Sequence, residues 1–386
     1  MTGHLEPGVV LDERYEIGRH LGEGGMGSVY AATELGLARQ VAIKILHGQM
    51  SGDSDGRARF EREGKILAGL SHVNLVTFYR FGFWQQNVPY IVMEYLEGRT
   101  LSDLLDAEGK LSPSRCLHIA TQICQGMSAV HKGGIIHRDL KPNNILLLKD
   151  SAGDVVKIVD FGLARVLPEA DKHSQHLTQT GCLLGSIHYM SPEQCSGGRA
   201  DVRSEIYSLG CLLYQILTGN VPLTSDNPVG LLHKHVTETP LPLSKFVEKK
   251  DLPEGLEYVV FKALAKKPDD RYQSMEQFRG DLEMVLAGRG SELLPERARR
   301  KLTVPLGILV STGLVIVSAL MAAAVLHLFN QPSPNTVSVK IKGRGLKSQL
   351  ALLKKCPETE RLALLEELVK QTRSGHGDSP DPVDVM

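Results

Sequence analysis

The fold of this chain is decided by residues 135–162, IIHRDLKPNNILLLKDSAGDVVKIVDFG. Its two apolar runs, ILLL and VVKIV, predict short buried strands joined by a polar turn. This pattern places the HRDLKPNN segment on a loop that leads into a hairpin, and DFG directly after the second strand. We therefore expect two carboxylates and one amide to face a single cleft: Asp139, Asn144 and Asp160.

The order and spacing of these motifs carry more information than either motif alone. An isolated HRD is usually surface and an isolated DFG is usually a turn, but here HRDLKPNN is followed by DFG at a fixed distance. The stretch resembles the catalytic loop and metal-binding triplet of the protein kinase family. The resemblance implies an α+β, two-lobed fold over residues 15–286. Its N-lobe, an antiparallel sheet with one helix, covers residues 15–96, and its mainly helical C-lobe covers 97–286.

A glycine pattern, Gly22-x-Gly24-x-x-Gly27-x-Val29, lies near the start of the chain. A dinucleotide-binding oxidoreductase would need a helix directly after such glycines. Here strand-forming residues follow and lead to VAIK, which excludes that class and resembles the kinase arrangement. Glycines let backbone N–H groups approach the phosphates of ATP. The resemblance implies that Lys44, the lysine of VAIK, pairs with the α- and β-phosphates.

The kinase resemblance also implies which residues enclose the nucleotide. Glu94 to Leu96 match the hinge whose backbone binds adenine, and Met93 is at the gatekeeper position. The full set implied for ATP is Leu21, Gly22, Glu23, Gly24, Gly25, Gly27, Val29, Ala42, Lys44, Met93, Glu94, Leu96, Leu146 and Asp160.

Residues 57–70 show helical spacing, with Phe60, Glu63 and Leu67 on one face. Glu63 matches the family's helix glutamate that pairs with the strand lysine, and Glu61 is its rival. Gly64 inside this helix costs about 1 kcal/mol relative to alanine, which is a weak indication of mobility.

The remaining motif residues have roles implied by the resemblance. Asp139 would accept or orient the hydrogen of the substrate hydroxyl, and Lys141 can reach the γ-phosphate. Asn144 and Asp160 are hard oxygen ligands that suit Mg²⁺, with Mn²⁺ as an alternative. The KPxN form resembles serine/threonine kinases, so protein substrates with Ser or Thr hydroxyls are expected. The alternative is a membrane scaffold that binds nucleotide with little kinase activity.

A long polar loop separates DFG from SPE at 191–193. Its Thr178 and Thr180 are at positions where bacterial serine/threonine kinases are phosphorylated, and a phosphate there would pair with Arg138. Autophosphorylation of this loop is therefore expected to order it. Ser186, in place of the usual threonine, is expected to bridge Asp139 and Lys141.

Two further contacts are expected to support the site. Glu193 would pair with a buried Arg271. Glu205 stands where most kinases have aspartate, and its longer side chain must still reach the backbone of the catalytic loop.

Composition sets further limits on function. The 386 residues are 42% hydrophobic and 23% charged, with a formal net charge of zero, which gives nucleic-acid binding no electrostatic support. The cysteines lack metal-ligand spacing. The N-terminal segment 1–14 has no apolar run of a signal peptide.

A second domain boundary follows the kinase-like region. Residues 287–303 form a basic linker, and 304–329 are apolar for longer than the roughly 30 Å needed to cross a bilayer. We expect a single-pass cell-membrane protein with the kinase domain cytoplasmic. The tail, 330–386, would lie outside, partly helical with a disordered end. The spacing of small residues at Gly307 and Ser311 leaves a homodimer open.

Overall fold

The computed structural model describes residues 5–24, 27–47, 54–85, 87–151, 153–161 and 184–295. The predicted membrane span, the tail, Gly25, Thr178 and Thr180 lie outside these ranges. Among the residues described, no helix is both long enough and apolar enough to cross a membrane.

The N-terminal lobe is built on a six-stranded antiparallel sheet. Its strands, in the spatial order β1-β2-β3-β4-β6-β5, are β1 (Val10–Leu11), β2 (Tyr15–Gly24), β3 (Gly27–Glu34), β4 (Arg39–Leu46), β5 (Phe78–Trp84) and β6 (Val88–Glu94). Side chains alternate across the sheet. Val41 and Ile43 of β4 pack into a buried cluster on one face, so the residues between and beside them face the other way.

One helix, α1 (Ser54–Ala68), packs on this sheet against β5. Phe60 and Leu67 are buried, as their spacing predicts. A Cβ added to Gly64 would lie 2.6 Å from Cγ of Phe81. The glycine in the helix is thus explained by the close approach of α1 to β5, so its presence needs no appeal to mobility.

The C-terminal lobe is mainly helical. Its helices are α2 (Leu101–Glu108), α3 (Pro113–Lys132), α4 (Leu184–Ile187), α5 (Pro192–Cys195), α6 (Val202–Thr218), α7 (Pro228–Thr237), α8 (Leu256–Ala263) and α9 (Met275–Leu286). Ser112 caps α3 by accepting the Arg115 N–H, and Pro113 takes its first position. The apolar stripe of α3 is fully buried: Ala120, Ile123, Met127 and Val130.

A small sheet lies at the edge of this lobe. It has the order β7-β8-β9 and consists of β7 (Arg99–Thr100), β8 (Ile145–Asp150) and β9 (Gly153–Ile158). The last two strands form the hairpin predicted from residues 135–162. The structure thus confirms the two-lobed fold, and it places HRDLKPNN immediately before β8 and Asp160 two residues after the end of β9.

Candidate active site

The upper wall of the cleft follows from the strand register. Val29 pairs with Lys44, and Ala42 pairs with Met93. Directly opposed residues share a face, and so do residues two apart on one strand. All four side chains therefore lie on the face opposite the buried Val41 and Ile43.

The glycines of the β2–β3 turn serve two different purposes. A Cβ on Gly27 would lie 2.2 Å from the carbonyl oxygen of Ile45, so glycine is required there by strand pairing. A Cβ on Gly22 or Gly24 would meet nothing within 4 Å. Those two positions leave free space at the backbone, as an approaching phosphate group requires. Leu21 and Glu23 lie on the same strand.

Lys44 reaches across the cleft to Asp160. Its Nζ forms an ion pair with Asp160 Oδ1, and only 9% of the lysine side chain is exposed. Asp160 has a left-handed backbone with φ of 64°, a conformation that costs a non-glycine residue about 1–3 kcal/mol and that is frequent at functional sites. The two lobes thus meet at an ion pair between two residues of the predicted site.

The aromatic ring after Asp160 helps to hold that backbone. Phe161 is buried, with its ring centroid 5.5 Å from that of Phe78 and 4.7 Å from that of His137. His137 is fully buried, and its Nε2 lies 3.0 Å from the Val159 carbonyl oxygen. Both side chains pack inside the protein.

Glu63 is placed on α1 with a half-buried side chain. In the part of the chain that the structure describes, no ion pair joins it to Lys44, which is paired with Asp160 instead. The pairing of Lys44 with Glu63 therefore stays a prediction.

The catalytic-loop residues form one compact cluster. Lys141 Nζ lies 2.8 Å from Asp139 Oδ2 and 2.9 Å from Ser186 Oγ. Asn144 Nδ2 donates to the Asp139 carbonyl oxygen at 2.7 Å and to Oδ2 at 3.2 Å. Burial raises the pKa of Asp139, but Lys141, His137 and Ser186 together outweigh it and lower that pKa below its ordinary value. The carboxylate is therefore kept ionised although it is mostly buried.

Glu205 supports the catalytic loop through a hydrogen bond to its backbone. It lies in the first turn of α6 with 2% exposure. Its Oε1 accepts the Arg138 N–H at 2.7 Å, and its Oε2 lies 2.5 Å from Nε2 of His131 at the end of α3. The glutamate thus does reach the catalytic-loop backbone. The second contact, to His131, was not predicted. The exposed Arg138 has a left-handed φ of 68°.

The second expected support is also present. Arg271, which is 3% exposed, donates from Nη1 and Nη2 to the two carboxylate oxygens of Glu193 at 2.9 and 2.8 Å. Ser204 donates to the same carboxylate at 2.5 Å. Burial alone would raise the pKa of Glu193, but these donors lower it to about 2.

The connection between the lobes begins at Glu94 and includes Leu96. Leu146 lies on β8. Glu94 forms an ion pair with Lys157 of β9 at 2.7 Å. Sequence reasoning missed Lys157 because it lies between apolar residues of a strand, outside any motif and far along the chain from its partner.

The donor set fits a divalent cation that phosphates would help to bind. Asn144 uses its amide nitrogen for both hydrogen bonds to Asp139, which leaves its carbonyl oxygen, and Asp160 has a second carboxylate oxygen beyond its pair with Lys44. No group of three or more His, Cys, Asp or Glu side chains that could hold a metal occurs among residues 5–161 and 184–295 that are described. Mg²⁺ commonly takes one or two carboxylates plus phosphate oxygens and water, so these two residues would hold it.

Comparison with known proteins agrees with this geometry. Residues 15–281 match the family model described as the protein kinase domain. The serine/threonine-protein kinase PknB of Mycobacterium tuberculosis is 42% identical over 285 residues, which are 73% of this chain and 44% of that protein. A probable serine/threonine-protein kinase of Streptomyces coelicolor is 42% identical over 282 residues, which are 72% of this chain and 41% of that one.

The chain therefore spans less than half the length of these curated relatives. Among solved structures, the crystal structure of the M. tuberculosis PknI kinase domain superposes with a TM-score of 0.56 at 25% identity, covering 73% of this chain and all of that one. The matched region contains every element of the cleft described above. The chain belongs to the protein kinase family.

Proposed function

We propose that this chain is a serine/threonine protein kinase that transfers the γ-phosphate of ATP to protein hydroxyls. The observation that carries the proposal is the cluster of Asp139, Lys141 and Asn144, together with the ion pair between Lys44 and Asp160. The similarity to proteins named serine/threonine-protein kinases supports the choice of Ser and Thr as acceptors.

The residues suit a reaction that depends on positioning and charge neutralisation more than on covalent chemistry. Asp139 is held ionised, so it can accept a hydrogen bond from the substrate hydroxyl and orient its oxygen. Lys141, fixed by Asp139 and Ser186, presents its ammonium group toward the phosphoryl group in transfer. Lys44 would pair with the α- and β-phosphates. Mg²⁺ bound by Asn144 and Asp160 would neutralise phosphate charge.

The test is phosphoryl transfer by the purified full-length chain from γ-labelled ATP to a generic protein acceptor. We expect labelled phosphoserine or phosphothreonine from the wild type and none above background from Asp160→Asn. A folded wild type that binds ATP and labels no acceptor would instead support the alternative, a nucleotide-binding membrane scaffold.

We further propose that the loop containing Thr178 and Thr180 is autophosphorylated and that this activates the enzyme. The support is the sequence position of the TQT segment together with the exposed Arg138 beside the catalytic aspartate. Mass spectrometry of wild-type protein should find phosphate on one or both threonines, and Asp139→Asn protein should lack it. Full activity in Thr178→Ala/Thr180→Ala protein would refute the activating role.

Membrane anchoring by 304–329, with the kinase domain in the cytoplasm and the tail outside, is also proposed. It is supported by the length of the apolar run and the basic residues that precede it. In fractionated cells we expect the full chain in the membrane fraction and a variant lacking 304–329 in the soluble fraction. Equal partitioning of the full chain and the deletion variant would contradict the anchor.

Cross-linking of the membrane fraction tests the homodimer.

A further inference from the structure

The side chain of Glu94, at the end of β6, is held by groups from two other segments. Lys157 Nζ of β9 lies 2.7 Å from Glu94 Oε1, and the same oxygen accepts the Thr77 N–H at 2.8 Å. Lys157 also donates to the Leu75 carbonyl oxygen at 3.1 Å. The lysine and glutamate side chains are only 13% and 20% exposed. Three segments therefore meet at one ion pair, where the connection between the lobes begins.

Backbone hydrogen bonds hold part of the chain around this pair. Glu94 N–H donates to the Thr77 carbonyl at 2.9 Å, Val76 N–H donates to the Ile158 carbonyl at 3.0 Å, and Ile158 N–H donates to the Asn74 carbonyl at 2.8 Å. Lys157 adds a side-chain contact that ties β9 directly to Glu94. Its strand neighbours, Val156 and Ile158, are fully buried on the opposite side of β9.

We propose that Lys157 is a positioning residue for the nucleotide. By holding the Glu94 carboxylate, it fixes the backbone at the start of the connection that receives adenine. This inference rests on the proposed function and on the kinase resemblance, which matches residues 94–96 to the hinge that binds adenine. It concerns how firmly that backbone is set before ATP arrives, and the lysine acts through Glu94 without touching the nucleotide.

The physical reason is preorganisation. Without the ammonium group, the Glu94 carboxylate would be left in a mostly buried place with a single backbone donor, so its side chain would turn toward water. The end of β6 would then have to be ordered when ATP binds. Ordering a binding segment weakens affinity, whereas the catalytic-loop cluster, built from other residues, would be unchanged once ATP is bound.

The experiment measures the Kd of ATP by calorimetry on the full chain, and separately the rate of phosphoryl transfer at saturating ATP. We expect Lys157→Met to raise Kd about tenfold, equivalent to about 1.4 kcal/mol, with a saturated rate within about twofold of wild type. Lys157→Arg should restore most of the affinity. The matched control is Lys149→Met, which removes the same charge from an exposed position on the neighbouring strand and should leave Kd unchanged.

Removing the charge from the other partner keeps the test decisive if one variant folds poorly. Glu94→Gln should weaken ATP binding to a similar extent, and the double variant should be no weaker than the worse single variant, because both remove one interaction. Wild-type Kd values in both single variants would overturn the proposal, as would a changed saturated rate with an unchanged Kd. If the wild type binds ATP but transfers no phosphate, the proposed function fails, while the Kd series still decides the role of Lys157.

Discussion

Replacing Glu205 with alanine should disturb the catalytic loop, although the residue lies outside it. The buried carboxylate accepts the Arg138 N–H at 2.7 Å and contacts His131 Nε2 at 2.5 Å. Leaving a buried donor unpaired costs about 1–3 kcal/mol each, so the free energy of unfolding should fall by about 2–6 kcal/mol. Because Arg138 immediately precedes Asp139, the loop should also shift, and a displacement of about 1 Å can reduce turnover about 100-fold.

The assay combines urea unfolding with phosphoryl transfer at a temperature where the variant stays folded. Glu205→Gln is the matched control, because its carbonyl oxygen can still accept the Arg138 N–H and its amide group can still contact His131 Nε2. It should lose only the charge-assisted part of the two bonds, about 1–2 kcal/mol. A fall of less than about 1 kcal/mol in the free energy of unfolding of Glu205→Ala, together with wild-type turnover, would refute this supporting role of Glu205.

Three further predictions concern packing and pH. Gly64→Ala should destabilise the fold by about 1 kcal/mol, although alanine favours helix, because its Cβ would lie 2.6 Å from a phenylalanine ring. Gly280→Ala, in α9 where a Cβ meets nothing within 4 Å, should instead stabilise it by up to about 1 kcal/mol; chemical unfolding compares the two, and equal effects would contradict the packing account. Glu193→Gln should lower the free energy of unfolding by about 3 kcal/mol at pH 7, because the pKa of Glu193 in the folded protein, about 2, lies below the ordinary value of 4.5. Because that pKa is depressed, the contribution is complete above pH 4.5 and disappears as pH falls toward 2, so an unfolding difference that stays constant over this range would refute it. Lys141→Met should shift the acid limb of the rate–pH profile to higher pH, because the lysine is the main group that opposes the effect of burial on the pKa of Asp139. An acid limb at the wild-type pH would contradict this prediction.

Most of the cleft could be predicted from the sequence because its residues are in short contiguous motifs. The hairpin and its flanking loop follow from apolar runs and motif order, whereas Lys44 was expected to pair with Glu63 and is found in an ion pair with Asp160. The bridging position of Ser186 between Asp139 and Lys141 was likewise expected and is observed. Serine in place of threonine keeps the hydroxyl group, which can both donate and accept a hydrogen bond.

What could not be predicted depends on how distant segments pack. The Lys157–Glu94 pair joins two strands of different sheets, and neither residue stands in a pattern that specifies its partner. His131 lies at the end of a helix whose apolar stripe predicts burial and says nothing of Glu205. From the sequence, Gly64 could be interpreted as a sign of helix mobility. Only the position of the Phe81 ring shows why a Cβ is excluded there.

The most direct test of the central claim is transfer of the γ-phosphate of ATP to Ser or Thr hydroxyls by the full chain, compared with Asp139→Asn. The account predicts labelled phosphoserine or phosphothreonine from the wild type. It predicts a rate at least about 100-fold lower in the variant, with ATP still bound. Equal transfer by both proteins, or no transfer by a wild type that binds ATP, would contradict it.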